Sequence, residues 1–114
     1  MGRLTSHVLD TANGVPAAGL RLELFDGAGR QLASVATNAG GRTAQPLLDG
    51  REFKAGRYQL RFHVGAYFRA RGVAVGEPAF LDIVSVDFGI DDPGVHFHVP
   101  LLVSPWSYTT YRGS

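Results

Sequence analysis

The clearest signal along the chain is a period of two. Leu20, Leu22 and Leu24 alternate with Arg21 and Glu23, which puts three Leu on one face of a strand and charge on the other. The segment stops at Asp26-Gly27-Ala28-Gly29, a turn composition, and residues 31–37 read as the return strand of a hairpin. Asn38-Ala39-Gly40-Gly41 makes the next loop. Tyr58, Leu60, Phe62 and Val64 alternate with Arg57, Gln59, Arg61 and His63 in the strongest strand pattern of all. Residues 80–88 and 95–103 predict two more strands, the second interrupted by Pro100. A residue without an N–H predicts an edge position or a bulge there. One stretch, 65–72, carries Tyr67, Phe68 and Arg71 at helical spacing over barely two turns.

With 15 Gly and 6 Pro punctuating the chain at short intervals, these elements predict an all-β sandwich of two antiparallel sheets with one short helix. The length of 114 residues suits one domain spanning residues 1–114. A hydrophobic content of 45% argues for a folded chain. Ten of the eleven basic residues are Arg, scattered along the chain, and the net charge is only +1. No basic stripe draws the chain to nucleic acid or to anionic lipid. The apolar runs are far too short to span a bilayer, so no membrane partner is expected. Met1-Gly2-Arg3-Leu4-Thr5-Ser6-His7 enters polar residues at once, without the apolar core of a secretory signal, and the expected location is cytoplasmic. The absence of Cys excludes disulfides and thiolate chemistry.

Candidate chemistry rests on histidine. His96-Phe97-His98 places two imidazoles on one face of a strand, since residues two apart point the same way. His7 stands in Ser6-His7-Val8-Leu9-Asp10, where Asp10 would orient the ring or serve as a turn residue. His63 alternates with Arg61 and Gln59 on a polar face, and nothing marks it as functional. A zinc site would need His96, His98 and a third ligand such as His7 to converge, and no spacing requires that, so no metal and no cofactor are expected. The chain closes on Thr109-Thr110-Tyr111-Arg112-Gly113-Ser114, directly after a strand-like run, either because a strand runs out of residues or because a terminal charge at Ser114 is placed in a site.

Three segments in order carry a resemblance. His7-Val8-Leu9-Asp10-Thr11 with Gly14-Val15-Pro16-Ala17 resembles the N-terminal signature of the 5-hydroxyisourate hydrolases, the enzymatic branch of the transthyretin-like family. His96-Phe97-His98-Val99-Pro100-Leu101-Leu102-Val103-Ser104-Pro105 resembles the family's late strand. Tyr111-Arg112-Gly113-Ser114 is similar to the closing tetrapeptide that separates the hydrolases from the hormone carriers. Thr37-Asn38-Ala39-Gly40-Gly41-Arg42 matches a family loop ending in Arg, except that Gly40 stands where Asp is usual, which leaves that loop short of one side-chain turn bond.

The resemblance implies a transthyretin-like sandwich assembled as a homotetramer, a dimer of dimers with sites in the channel between dimers. It implies hydrolytic ring opening of 5-hydroxyisourate, a small purine-derived substrate, in urate breakdown. His7 and His98 would share the acid–base work, in either order. Arg42 would bind an oxygen of the substrate and stabilise its developing charge. Tyr111 and Ser114 would orient the heterocycle, and His96, on the same face as His98, would line the channel as its supporting partner rather than as the primary catalyst. With no Cys and no Gly-x-Ser-x-Gly elbow, direct attack by water is expected. The alternatives are a carrier that holds a small aromatic ligand in the same channel and an immunoglobulin-like module that binds a protein through a sheet face.

Overall fold

In a computed structural model, which describes residues 2–114, the strands run β1 (Arg3–Thr5), β2 (Val8–Asp10), β3 (Val15–Pro16), β4 (Arg21–Asp26), β5 (Gln31–Ala36), β6 (Leu48–Asp49) and β7 (Gly56–His63). Helix α1 (Val64–Ala70) follows, and then β8 (Ile83–Ile90), β9 (Phe97–His98), β10 (Leu101–Val103) and β11 (Tyr108–Thr110). One layer is the antiparallel sheet β5-β4-β7-β8. The second layer has two parts, β6-β1-β9 and β11-β10-β2-β3. The alternating Leu22, Leu24, Leu60 and Phe62 of the first layer meet Leu4, Val8, Leu101 and Val103 of the second in one buried core. Each such side chain contributes roughly 1.5–3 kcal/mol by leaving water.

The predicted hairpin forms, and the Asp26 carboxylate fixes its turn by accepting the N–H groups of Ala28 and Arg30, both at 2.9 Å. The strand expected over residues 80–88 is displaced toward the C-terminus. Phe80 is 71% exposed, and pairing of β8 with β7 begins only at Ile83 opposite His63. Val64, the last apolar residue of the β7 alternation, instead opens α1. The helix ends before Gly72, whose φ of 80° and N–H to the Arg69 carbonyl close the last turn. His63 Nε2–H donates to Glu23 Oε1 at 2.7 Å across the outer face of that sheet, a structural pair.

Pro100 requires a correction: it lies inside the second layer, between β9 and β10, and pairing keeps the same register on either side of it. Leu101 faces Thr110 and His98 faces Gly113, so no residue is inserted and there is no bulge. Its missing N–H interrupts only the ladder toward the C-terminal strand, where its carbonyl accepts the Thr110 hydroxyl at 2.7 Å. The side of the strand that faces β1 and β2 stays bonded. Val99 N–H reaches the Thr5 carbonyl at 3.0 Å and Leu101 N–H the His7 carbonyl at 2.9 Å.

Asp10 is 1% exposed and serves the fold. Its carboxylate accepts the Asn13 N–H at 2.9 Å, the Asn13 side-chain amide at 2.7 Å and the Tyr67 hydroxyl at 2.8 Å, tying β2 to its turn and to α1. Burial pushes the carboxyl upward, but these donors hold it below its ordinary value of 3.8. The Tyr67 hydroxyl is pushed up to about 12 by burial and by its bond to Asp10. Because the folded-state value is depressed, this stability is present above the unfolded pKa and is lost as pH falls through the folded one. Asp10→Ala is expected to cost about 2–4 kcal/mol near pH 7, since it strands buried donors. The gap to wild type should narrow below about pH 4 in denaturant titrations. An equally stable variant at pH 7 would contradict this role.

Candidate active site

The second layer breaks at one level in both of its long segments, at Ser6-His7 between β1 and β2 and at Val99-Pro100 between β9 and β10. Buried Ser6 closes the break by donating its hydroxyl to the Val99 carbonyl at 2.7 Å. Around this break Thr5, His7, His96 and His98 stand half-buried, while their neighbours Leu4, Val8, Phe97 and Val99 point into the core. Alternation therefore puts the polar set on the outer face of the sheet.

Each group is placed through backbone. Thr5 is the register partner of His98 in the parallel β1–β9 pair. His98 also bridges Gly113, exchanging N–H and carbonyl at 3.3 and 2.7 Å, which brings Ser114 to the same place. His7 bridges Arg42. The loop leading to Arg42 is rigid without an acid at position 40. Asn38 Oδ1 accepts the N–H of Gly40 at 2.9 Å and of Arg42 at 3.2 Å, and Asn38 N–H reaches the Arg42 carbonyl at 2.8 Å. Gly41 is the position that only Gly fills: its φ is 75°, and a Cβ there would lie 2.4 Å from the Val8 carbonyl oxygen.

Arg42, His96, His98 and Ser114 line one open cleft of about 520 Å³, together with Thr5 and Arg3. His7 sits beside it, its Nε2 2.9 Å from the Gly40 carbonyl oxygen. A carbonyl only accepts, so Nε2 carries the hydrogen and neutral His7 keeps its lone pair on Nδ1. Arg42 is exposed, and among the described residues no carboxylate pairs with it. Burial, and then the positive surroundings of Arg42, His96 and His7, hold His98 below the ordinary 6.5. The ring is therefore neutral at neutral pH and able to take a proton. His96 Nε2 and His98 Nδ1 are both spent on the Thr5 hydroxyl, at 2.7 and 2.8 Å. Among the described residues no group of three or more His, Asp or Glu is arranged to hold a metal ion.

Two expectations do not hold within one chain. Asp10 does not orient His7, because its carboxylate is taken by Asn13 and Tyr67. Tyr111 does not join the cleft. It is 56% exposed and lines a separate hollow of about 230 Å³ with Phe88, Val99 and Thr110. Thr5 was not among the expected site residues, although period-two spacing places it on the same face as His7. A further cleft of about 620 Å³ runs over β4, β7 and β8 and contains no His; there Gln59 bonds Asp87 and Arg61 covers the Phe25 ring.

A histidine and arginine cluster on the outer face of a two-layer sandwich, one layer antiparallel and the other mixed rather than antiparallel as expected, marks a transthyretin-type fold carrying a polar site. The chain belongs to the HIUase/Transthyretin family, whose model matches residues 4–113. It is 55% identical over 117 residues to the 5-hydroxyisourate hydrolase of Ralstonia nicotianae, covering 100% of both chains. The structure of Klebsiella pneumoniae 5-hydroxyisourate hydrolase superposes with a TM-score of 0.85 at 37% identity, covering 100% of both chains. Sea bream transthyretin in complex with thyroxine superposes with a TM-score of 0.86 at 29% identity, covering 97% of this chain and 94% of that one.

Replacing Arg42 by Gln removes the charge that acts most strongly on this ring and should raise the His98 pKa toward 6.5, as read from the ring C–H resonances in an NMR titration. An unchanged or lower value would mean that Arg42 does not act on this ring.

Proposed function

We propose that this chain hydrolyses 5-hydroxyisourate, opening a cyclic acyl–nitrogen bond with water. The observation that carries the reading is the meeting of Arg42, His98 and Ser114 on one cleft beside His7, in a chain that matches a 5-hydroxyisourate hydrolase over its full length.

Neutral His98 takes a proton from water as the water oxygen bonds to the acyl carbon. The carbonyl oxygen becomes an oxyanion facing the Arg42 guanidinium, a fixed donor fork with no competing carboxylate. The C–N bond then breaks, and the leaving nitrogen takes a proton from a His7 that solvent has protonated on Nδ1, while the proton gained by His98 returns to solvent. Protonated His7 keeps its Nε2–H on the Gly40 carbonyl and donates through Nδ1. Ser114, at the cleft, orients the flat heterocycle. Tyr111 contributes only where a second copy brings it to the cleft.

A homotetramer, a dimer of dimers, is part of this reading. β8, eight residues long, and β11 end their sheets as neighbouring unpaired edges, and such edges pair with another copy when left uncovered. The cleft lies on an outer sheet face, where a facing copy would close it. A cytoplasmic location completes the reading, and no helix among the described residues is long and apolar enough to cross a membrane.

The carrier reading draws on the thyroxine-bound relative of the same fold. The open, charged cleft favours chemistry over storage of an apolar ring. The test follows 5-hydroxyisourate, generated from urate, by ultraviolet absorbance against buffer alone. Decay should accelerate in proportion to protein, with His98→Ala and Arg42→Ala each losing about 10²–10³-fold. Decay at the buffer rate, from protein that sediments as a folded tetramer, would leave the carrier.

A further inference from the structure

Among the described residues, the Thr5 hydroxyl is the one group that hydrogen-bonds both histidines of the late strand. It lies 2.7 Å from His96 Nε2 and 2.8 Å from His98 Nδ1. Each of these contacts needs a hydrogen between its two heavy atoms, and a hydroxyl supplies only one. At least one ring nitrogen must therefore donate to Thr5, and the protonation patterns of the two rings are linked through it.

Three neutral arrangements satisfy both bonds: in one, both rings donate to the Thr5 oxygen, the hydroxyl hydrogen turns elsewhere and His98 Nε2 is bare, and the other two keep that hydrogen between the rings. In the first of these two, His96 Nε2–H donates to Thr5, the hydroxyl donates to His98 Nδ1, and His98 carries its remaining hydrogen on Nε2. In the second, His98 Nδ1–H donates to Thr5, the hydroxyl donates to His96 Nε2, and His98 Nε2 is left bare. Of the two that share the hydroxyl hydrogen, only the second gives His98 a lone pair on the nitrogen not bound to Thr5, and only that nitrogen is free to meet a water in the cleft. The cationic residues Arg42 and Arg3 also line the cleft. A lone pair is favoured over an N–H beside these cations.

We propose that Thr5 and His96 are positioning residues that hold His98 in the Nδ1–H tautomer, with Nε2 bare as the base. The inference rests on His98 acting in the hydrolysis, but the tautomer itself is a property of the resting protein. Backbone supports the arrangement: Thr5 and His98 are register partners, and the His98–Gly113 bridge fixes the other side of the strand, so the ring has little freedom to leave the hydroxyl. When His98 takes a proton on Nε2, its Nδ1–H stays on Thr5, and the hydroxyl hydrogen stays on His96. The bonds persist while the charge forms.

The test is the ¹⁵N signature of the His98 ring in neutral protein, which distinguishes a bare from a protonated nitrogen without any turnover. The expected pattern is protonated Nδ1 and bare Nε2 in wild type and in Thr5→Ser. Thr5→Val keeps the shape and removes the hydroxyl, and it should shift His98 toward the Nε2–H form. Its kcat should fall at least about tenfold with KM little changed, part of the ~10²–10⁴ that a general base supplies. Thr5→Ser should restore it. A wild-type His98 with bare Nδ1 and protonated Nε2 would overturn the proposal even if Thr5→Val does not fold. So would a folded Thr5→Val protein with the wild-type ring pattern and kcat. The expected ¹⁵N pattern in a protein that hydrolyses nothing would leave the tautomer assignment standing and remove the hydrolase reading instead.

Discussion

The site depends on one pairing. β1 and β2 run parallel to β9 and β10, and both segments break at the same level. Parallel partners that far apart in sequence can be aligned only by the folded sheet, so no local signal encodes their neighbourhood. The bonds from Val99 to Thr5 and from Leu101 to His7 carry the pairing across the break. At that level the chain replaces a regular ladder with Ser6 below and polar side chains above. Thr5, His7 and His98 share an outer face because Leu4, Val8, Phe97 and Val99 are claimed by the core.

Around that pairing, polar groups are satisfied in ways that divide structural from chemical roles. Asp10 is enclosed and fully engaged, and it ties β2 to α1. His63 pairs with Glu23 on the far sheet. Arg42, by contrast, is held only through its backbone, between Asn38 and His7, and its guanidinium is left to the cleft. A cation kept without a carboxylate is poised for charge that develops on a bound molecule. The same cation disfavours protonation of His98, so in the proposed reaction one residue would serve both the oxyanion and the base.

Much of this was legible in the sequence. Alternation revealed β4, β5 and β7, and the short helix lay close to its expected place, because those patterns are local. The start of β8 was misplaced, since exposed Phe80 looks apolar in sequence yet packs against exposed Trp106 in a loop. Pro100 signalled an irregularity, but its position inside the sheet follows from pairing with two other strands. His7, Arg42, His98 and Ser114 were reached through family resemblance, and the structure brings them together. Thr5 was missed because a Thr on a strand carries no mark of its own; its meaning comes from two rings more than ninety residues away. Tyr111, expected to orient the heterocycle, stands away from the cleft within one chain.

The central claim is that chemistry takes place at the break in the second layer, between Arg42 and His98. A crystal structure of the assembled protein with urate, a stable planar purine trione, tests it most directly. The account predicts the ring in the cleft beside Thr5 and Ser114, with a carbonyl oxygen on the Arg42 guanidinium and His98 Nε2 facing the adjacent ring carbon. Urate seated over β4, β7 and β8, or anywhere out of reach of His98, would contradict it.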